Sequence, residues 1–330
     1  VGKGETMKGG KIFLGLWSFV FLLAYVSDGL AQNFPTKPIR VIVPFSAGGS
    51  NDLIARALQK PLGKELKGTI VVEDIPAGTT KLGTLEVMKA EPDGHTLLFA
   101  SHGALMGYFY SGTYDSKVWE KLTIIAQSGD MPYGFFEVRA DSPFKTWADL
   151  VSFAKRNPGK LTCGGPGAGG VMNLNVIETA KAAGIEVKYV PFAGGGPSGT
   201  ALLGGHVDYR VCLPPEAYPN IKAGKTRGLA ISYGKRLPEM PDVPTFKELG
   251  LMDVIPPISY DFWGPPNLPP NLINQISRAV EKAVKDPEYL DFCKRMVYQP
   301  VFKDAKMLRE DIKFFEEKVG PKLEAAFPKK

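Results

Sequence analysis

Between Ile39 and Arg56 the sequence IRVIVPFSAGGSNDLIAR changes its hydrophobic period from strand to helix across a pair of glycines. Ile39, Val41, Ile42 and Val43 form a buried-strand run that stops at Pro44. Leu53, Ile54, Ala57 and Leu58 then share one helical face. A glycine turn between strand and helix lets the backbone approach a ligand closely, while the first helical N–H groups have no partner in the helix itself. Those N–H groups and the aligned peptide dipoles together favour an anion by about 0.3–1 kcal/mol, and by up to ~2 when partly buried. The run predicts an α/β unit with an anion cradle at Ser46–Gly49.

The segment before it reads as an export signal. Met7-Lys8 to Lys11 is a basic start, Ile12 to Val26 is apolar, and Gly29-Leu30-Ala31 fits a small-x-small cleavage site. The apolar stretch is shorter than the roughly 20 residues a spanning helix needs. Residues 1–31 are therefore expected to be a signal peptide, with 1–6 as upstream-start or non-native residues, and the mature chain is expected in the periplasm. Removing Lys3, Lys8, Lys11, Glu5 and Asp28 with that segment takes the net charge from +6 to +5. The positive charge is spread evenly, without a Lys/Arg block or an aromatic stripe, so no nucleic-acid partner is expected. A mild positive balance favours small anions. Cys163, Cys212 and Cys293 form at most one disulfide. Buried free thiols are expected, with a Cys163–Cys212 bridge as the alternative.

Along the chain, strand runs such as Thr69–Val72, Thr96–Phe99 and Tyr209–Leu213 alternate with helical runs such as Lys81–Ala90, Val171–Ala183 and Pro270–Val284. That alternation predicts parallel sheets with helical cover. Thr146 and Asp304 stand where helix N-caps belong, and Pro244–Leu249 reads as a short helix. Two Pro-bearing junctions, around Asp130-Met131-Pro132-Tyr133 and Asp253-Val254-Ile255-Pro256-Pro257, read as crossings between lobes. They imply one lobe from residues 34–130 plus 256–330 and a second from 131–255, joined by a two-crossover hinge.

Four segments in order, KPIRVIVPFSAGGSNDLIAR, PDGHTLLF (Pro92–Phe99), VPFAGGGPSGTALLGGHVD (Val190–Asp208) and PDVPTFKELGL (Pro241–Leu251), resemble the extracytoplasmic receptors of tripartite tricarboxylate transporters, the Bug or TctC family. The resemblance spans about residues 34–325. It implies a two-lobed periplasmic binding protein of the type II-like, Venus flytrap kind, with two parallel or mixed sheets. It further implies a non-catalytic monomer that binds a small carboxylate and delivers it to the membrane subunits of the transporter, with no cofactor and no metal. The first-lobe contacts it implies are Phe45, Ser46, Ala47, Gly48, Gly49, Asp52, Gly78, Thr79, Thr80, Ser101 and His102. From the second lobe come Gly167, Gly169, Gly170, Asn173, Ala193, Gly194, Gly195 and Cys212. One carboxylate is expected between Ser46–Gly49 and Thr79-Thr80, and the other between Gly167–Gly170 and Ala193–Gly196. Asp52 reads equally as a helix-start carboxylate, and His102 as a residue lining the cleft or not.

Departures from the family pattern bear on the ligand. Pro76-Ala77-Gly78-Thr79-Thr80 stands for Pro-Gly-Ala-Gly-Gly, Gly170 for Ser, Asn173 for His, Ala193 for Lys, and Cys212 for a frequent Asp. Gly170, Asn173 and Ala193 each remove side-chain volume from the second lobe, and the latter two remove a possible cationic partner. They favour a longer dicarboxylate or an aromatic carboxylate over a short diacid. Three other readings are weaker. Gly165–Gly170 matches G-x-G-x-x-G, but the following strand ends in Val190-Pro191-Phe192 without the ribose-binding acid. A hydrolase finds no G-x-S-x-G elbow in Gly196-Pro197-Ser198-Gly199-Thr200. A periplasmic sensor for a signalling system would use the same binding chemistry.

Overall fold

The computed structural model describes residues 1–2, 4, 34–76, 79–132, 134–251 and 256–328. Most of the export-signal segment, Gly78, Tyr133 and Asp253–Ile255 lie outside the described residues.

One sheet runs β11-β4-β10-β3-β1-β2, where β1 is Ile39–Val43, β2 Ile70–Asp74, β3 Thr96–Phe99, β4 Thr123–Met131, β10 Ile258–Gly264 and β11 Lys303–Asp304. The other runs β7-β6-β8-β5-β9, with β5 Phe135–Arg139, β6 Thr162–Pro166, β7 Lys188–Phe192, β8 Tyr209–Cys212 and β9 Thr226–Ile231. Neither sheet is purely parallel. In the first, β1 pairs parallel with β2 and β3, while β10 runs antiparallel to β3 and β4. In the second, β6 pairs parallel with β7 and β8, while β5 runs antiparallel to β8 and β9. β5 and β10 each enter just after the chain changes sheet, between Met131 and Phe135 and between Ile231 and Ile258, and the short β11 also runs antiparallel to β4.

Helices cover both sheets: α1 Ser50–Leu66, α2 Lys81–Met88, α3 His102–Tyr110, α4 Val118–Lys121, α5 Trp147–Arg156, α6 Val171–Ala183, α7 Gly195–Leu203, α8 Pro214–Lys222, α9 Pro270–Ala283, α10 Pro287–Met296 and α11 Ala305–Ala326. β1 forms because its β-branched residues suit a strand buried on both faces; Ile39, Val41, Ile42 and Val43 are all essentially inaccessible. The caps expected at Thr146 and Asp304 are present. Thr146 and Asp149 close a reciprocal capping box on α5, and Asp304 Oδ1 accepts from Lys306 N and Met307 N, both at 2.9 Å. The C-terminal helix α11 packs against α3 and β4 of the first sheet and also reaches α6 beside the second.

Two local expectations need correction. Pro244–Leu249 is a turn and not a helix: Thr245 bridges to Ile231 and Phe246 N donates to Ile231 O. The helix α3 was not expected, because HGALMGYFY has no polar face to set a helical period. The helix is instead buried along most of its length.

Candidate functional site

The site lies where β1, β6 and β7 end and their glycine loops turn into helices. After β1 the chain passes through Pro44–Gly49 into α1. Gly48 adopts φ +78°, a conformation a β-carbon would strain. Its N–H donates to Asp52 Oδ2 at 2.8 Å. Asp52 is buried and ion-paired to Arg56, which also pairs with Asp74 at 2.8 Å. The structure thus gives Asp52 to the shape of the loop. Its carboxylate does not line the cavity described below.

The matching loop of the second sheet follows β7 and enters α7 through Ala193 and Gly194. The two loops touch. Ser46 Oγ donates to Ala193 O at 3.2 Å, and a β-carbon on Gly194 would stand 3.2 Å from Ser46 N. A β-carbon on Gly196 would stand 2.6 Å from Ala47 O. Ser46–Gly49 and Ala193–Gly196 therefore face each other across the gap between the sheets.

Beneath this contact is a cavity of about 50 Å3, lined on one side by Phe45, Gly49, Ser50 and Tyr108 and on the other by Gly170, Val171, Met172, Gly195, Leu213 and Glu216. Tyr108 comes from α3, and its phenol packs over Gly167 and Gly170, where glycine leaves it room. Burial pushes the Tyr108 phenol well above its ordinary pKa, so it stays a neutral hydroxyl. Glu216, on α8, reaches across the gap. Its Oε1 accepts from Ser50 N at 2.9 Å and from Ser50 Oγ at 2.5 Å. The N–H that opens α1 is thus already bound to a carboxylate of the chain itself.

The remaining expected residues fall elsewhere. Thr79, Gly169 and Asn173 line a separate, open cleft of about 870 Å3 together with Ser111, Tyr114 and Asp115. Asn173 turns its amide oxygen back onto its own loop, accepting from Gly169 N at 3.1 Å. The Thr80 side chain is fully buried and bonded to the Tyr114 hydroxyl at 2.7 Å, so it faces no ligand. His102 does not line the cleft either. Its Nδ1 lies 3.0 Å from Asp261 Oδ2 and 2.8 Å from Ser259 Oγ, in the core under Phe315. Because the serine and the aspartate meet the same ring nitrogen, this trio is not arranged as a nucleophile–base–acid relay. Ser101 caps α3 and accepts from Gly103 N at 3.2 Å. Cys212 is buried beneath the site, with Sγ 3.5 Å from Phe135 O. All three cysteines are free and buried. Among the described residues no cluster of three His, Cys, Asp or Glu could hold a metal ion, and no helix is long and apolar enough to cross a membrane.

Sequence reading missed Ser50, Tyr108, Met172 and Glu216. Ser50 directly follows the glycine turn and was recoverable from that position. Glu216 reads locally as an ordinary first-turn acid of PPEAYPN, and nothing adjacent marks its partner 166 residues away.

Residues 54–324 match the sequence profile of the tripartite tricarboxylate transporter family receptor, TctC. The chain is 31% identical over 289 residues to a Cupriavidus necator protein described as "UPF0065 protein in gbd 5′ region", covering 86% of both chains. Among solved structures, periplasmic binding protein BugD superposes with a TM-score of 0.80 at 25% identity, covering 88% of this chain and 97% of BugD. MatC from Rhodopseudomonas palustris, solved with bound malate, superposes with a TM-score of 0.78 at 25% identity, covering 89% of this chain and all of MatC. The fold is that of these periplasmic binding proteins.

Proposed function

This chain belongs to the tripartite tricarboxylate transporter family of receptors, a binding-protein family and not an enzyme family, and on that premise we propose that it captures a small organic carboxylate between its two sheets for delivery to the transporter's membrane subunits. The observation that carries the reading is the direct contact of Ser46–Gly49 with Ala193–Gly196 over a cavity at the carboxyl ends of the strands. Open α/β sheets bind ligands at that end. Residues 34–130 plus 256–330 act as one lobe and 131–255 as the other, with the two sheet-changing crossings as the hinge. Closure follows from differential affinity: a ligand that touches both loops stabilises the closed state by the contacts it makes only there. Charge-assisted hydrogen bonds from backbone N–H groups contribute ~1.5–3 kcal/mol each where water is excluded.

Malate bound to MatC supports a carboxylate as the ligand class. Gly170 and Ala193 leave more room and less positive charge than the family pattern, which favours a ligand whose distal end is bulkier or less charged than that of a short diacid. The export signal Met7–Ala31 would place the receptor in the periplasm. A thermal-shift screen of mono-, di- and tricarboxylates tests the ligand class, with stabilisation by at least one acid expected. Uptake of that acid in a deletion strain tests delivery: lost uptake supports transport, and retained uptake with a lost transcriptional response would make the chain a sensor.

A further inference from the structure

Glu216 occupies the N-terminal end of α1. It belongs to α8 of the second sheet, yet its Oε1 takes the N–H and the hydroxyl of Ser50 at the start of α1, beside the first sheet. Its Oε2 accepts more weakly from Leu213 N at 3.4 Å. Room for the carboxyl group comes from Gly195, where a β-carbon would fall directly on it. A carboxylate of the chain thus already satisfies the positive end of the α1 dipole.

Charge around the cavity points the same way. Glu216 is the one charged side chain lining it. The guanidinium beneath, Arg210, is wholly committed: its Nε pairs with Glu137, its Nη1 donates to Gly195 O at 2.8 Å, and its Nη2 donates to Glu216 O at 3.2 Å. Arg210 is shared between the charges of Glu137 and Glu216, and no cation lines the cavity among the described residues. The walls are apolar, formed by Phe45, Tyr108, Met172, Leu213 and Ile258. The N-terminus of α6 enters the same cavity through Val171 and Met172, on the wall that also carries Glu216, and no side chain caps it.

We propose that Glu216 determines ligand specificity: its carboxylate occupies the α1 end of the pocket, so the receptor takes a monocarboxylate with an apolar body and discriminates against the matching dicarboxylate. This rests on the carboxylate-receptor reading. The ligand's carboxylate binds at the α6 end, and its apolar body lies against Phe45, Tyr108 and Ile258. With the Glu216–Ser50 contact made, the cavity is about 50 Å3, against roughly 300–1,000 Å3 for small-molecule pockets, so the sheets part to admit the ligand. On reclosure the tethered carboxylate competes for Ser50 at a high effective concentration, and a second ligand carboxylate meets a like charge.

Calorimetric titration with two matched pairs, benzoate against terephthalate and hexanoate against adipate, tests this in the wild-type protein and in Glu216→Gln. The glutamine keeps an acceptor for Ser50 and removes only the charge. Each monocarboxylate is expected to bind the wild type at least about ten-fold tighter than its diacid partner. Glu216→Gln is expected to shift the diacid-to-monocarboxylate affinity ratio at least about ten-fold towards the diacids. Equal or tighter binding of the diacids to the wild type would overturn the inference, as would an unchanged ratio in the variant; either leaves the receptor reading intact. Binding of none of the four acids, or of any other carboxylate, would overturn the receptor reading and this inference with it.

Discussion

The α-carbon of Gly196 faces the carbonyl oxygen of Ala47 so closely that a β-carbon there would stand 2.6 Å from it. The next two nearest atoms are the carbonyl carbons of Gly48 and Ala47 on the same facing loop. Gly196→Ala should therefore act first on the contact between the two loops, and so on closure of the proposed lobes. Overpacking typically costs ~1–3 kcal/mol, which corresponds to about a ten- to hundred-fold loss of affinity for whichever acid binds the wild type best. Small-angle scattering should show a larger radius of gyration for the variant. Unchanged affinity and unchanged scattering would mean that these loops do not meet in the bound form.

Arg210 and Glu137 form an ion pair buried to about 1% exposure on each side, directly under the loop that carries Gly195. Removing one partner leaves an uncompensated buried charge, so Glu137→Ala should destabilise the fold by about 3–5 kcal/mol. Urea denaturation measures this. A loss below about 1 kcal/mol would show that the pair is not holding the second sheet and its glycine loop in place.

How much of this was legible in the sequence depends on how far apart the partners lie. The strand, glycine turn and helix from Ile39 to Leu66 were readable because the pattern is local and each step follows from hydrophobic period and glycine chemistry. The Thr146 cap was readable for the same reason, since its partner is Asp149. His102 was not, because its role is set by Asp261 and Ser259 across the chain, and a histidine after a strand reads alike in a core or a cleft. Thr80 stood in a loop that the family pattern places at the ligand, and Tyr114 draws its hydroxyl inward. The pairing of Ser46–Gly49 with Ala193–Gly196 was equally invisible, being a property of how two sheets approach each other.

Burial raises the pKa of all three thiols, that of Cys293 to about 12, and holds them in the unreactive form. A thiol-specific reagent at neutral pH should titrate none of Cys163, Cys212 and Cys293 in the folded protein and all three after unfolding without reductant. Fewer than three on unfolding would reveal a disulfide, and fast labelling of the native protein would reveal an accessible thiol.

The expected export signal makes a separate prediction. Mass spectrometry of the periplasmic fraction should find an N-terminus near Gln32. A chain retaining Met7 in the membrane fraction would contradict the signal-peptide reading and leave the binding chemistry untouched.

Isothermal titration of the mature protein with benzoate, hexanoate, succinate, adipate and terephthalate tests the central claim most directly. The account predicts saturable one-to-one binding of at least one of these acids, weakened at least about ten-fold by Gly196→Ala. Heats no greater than dilution for every acid would contradict it, and so would saturable binding that Gly196→Ala leaves unchanged, because the ligand would then not be held between the two glycine loops.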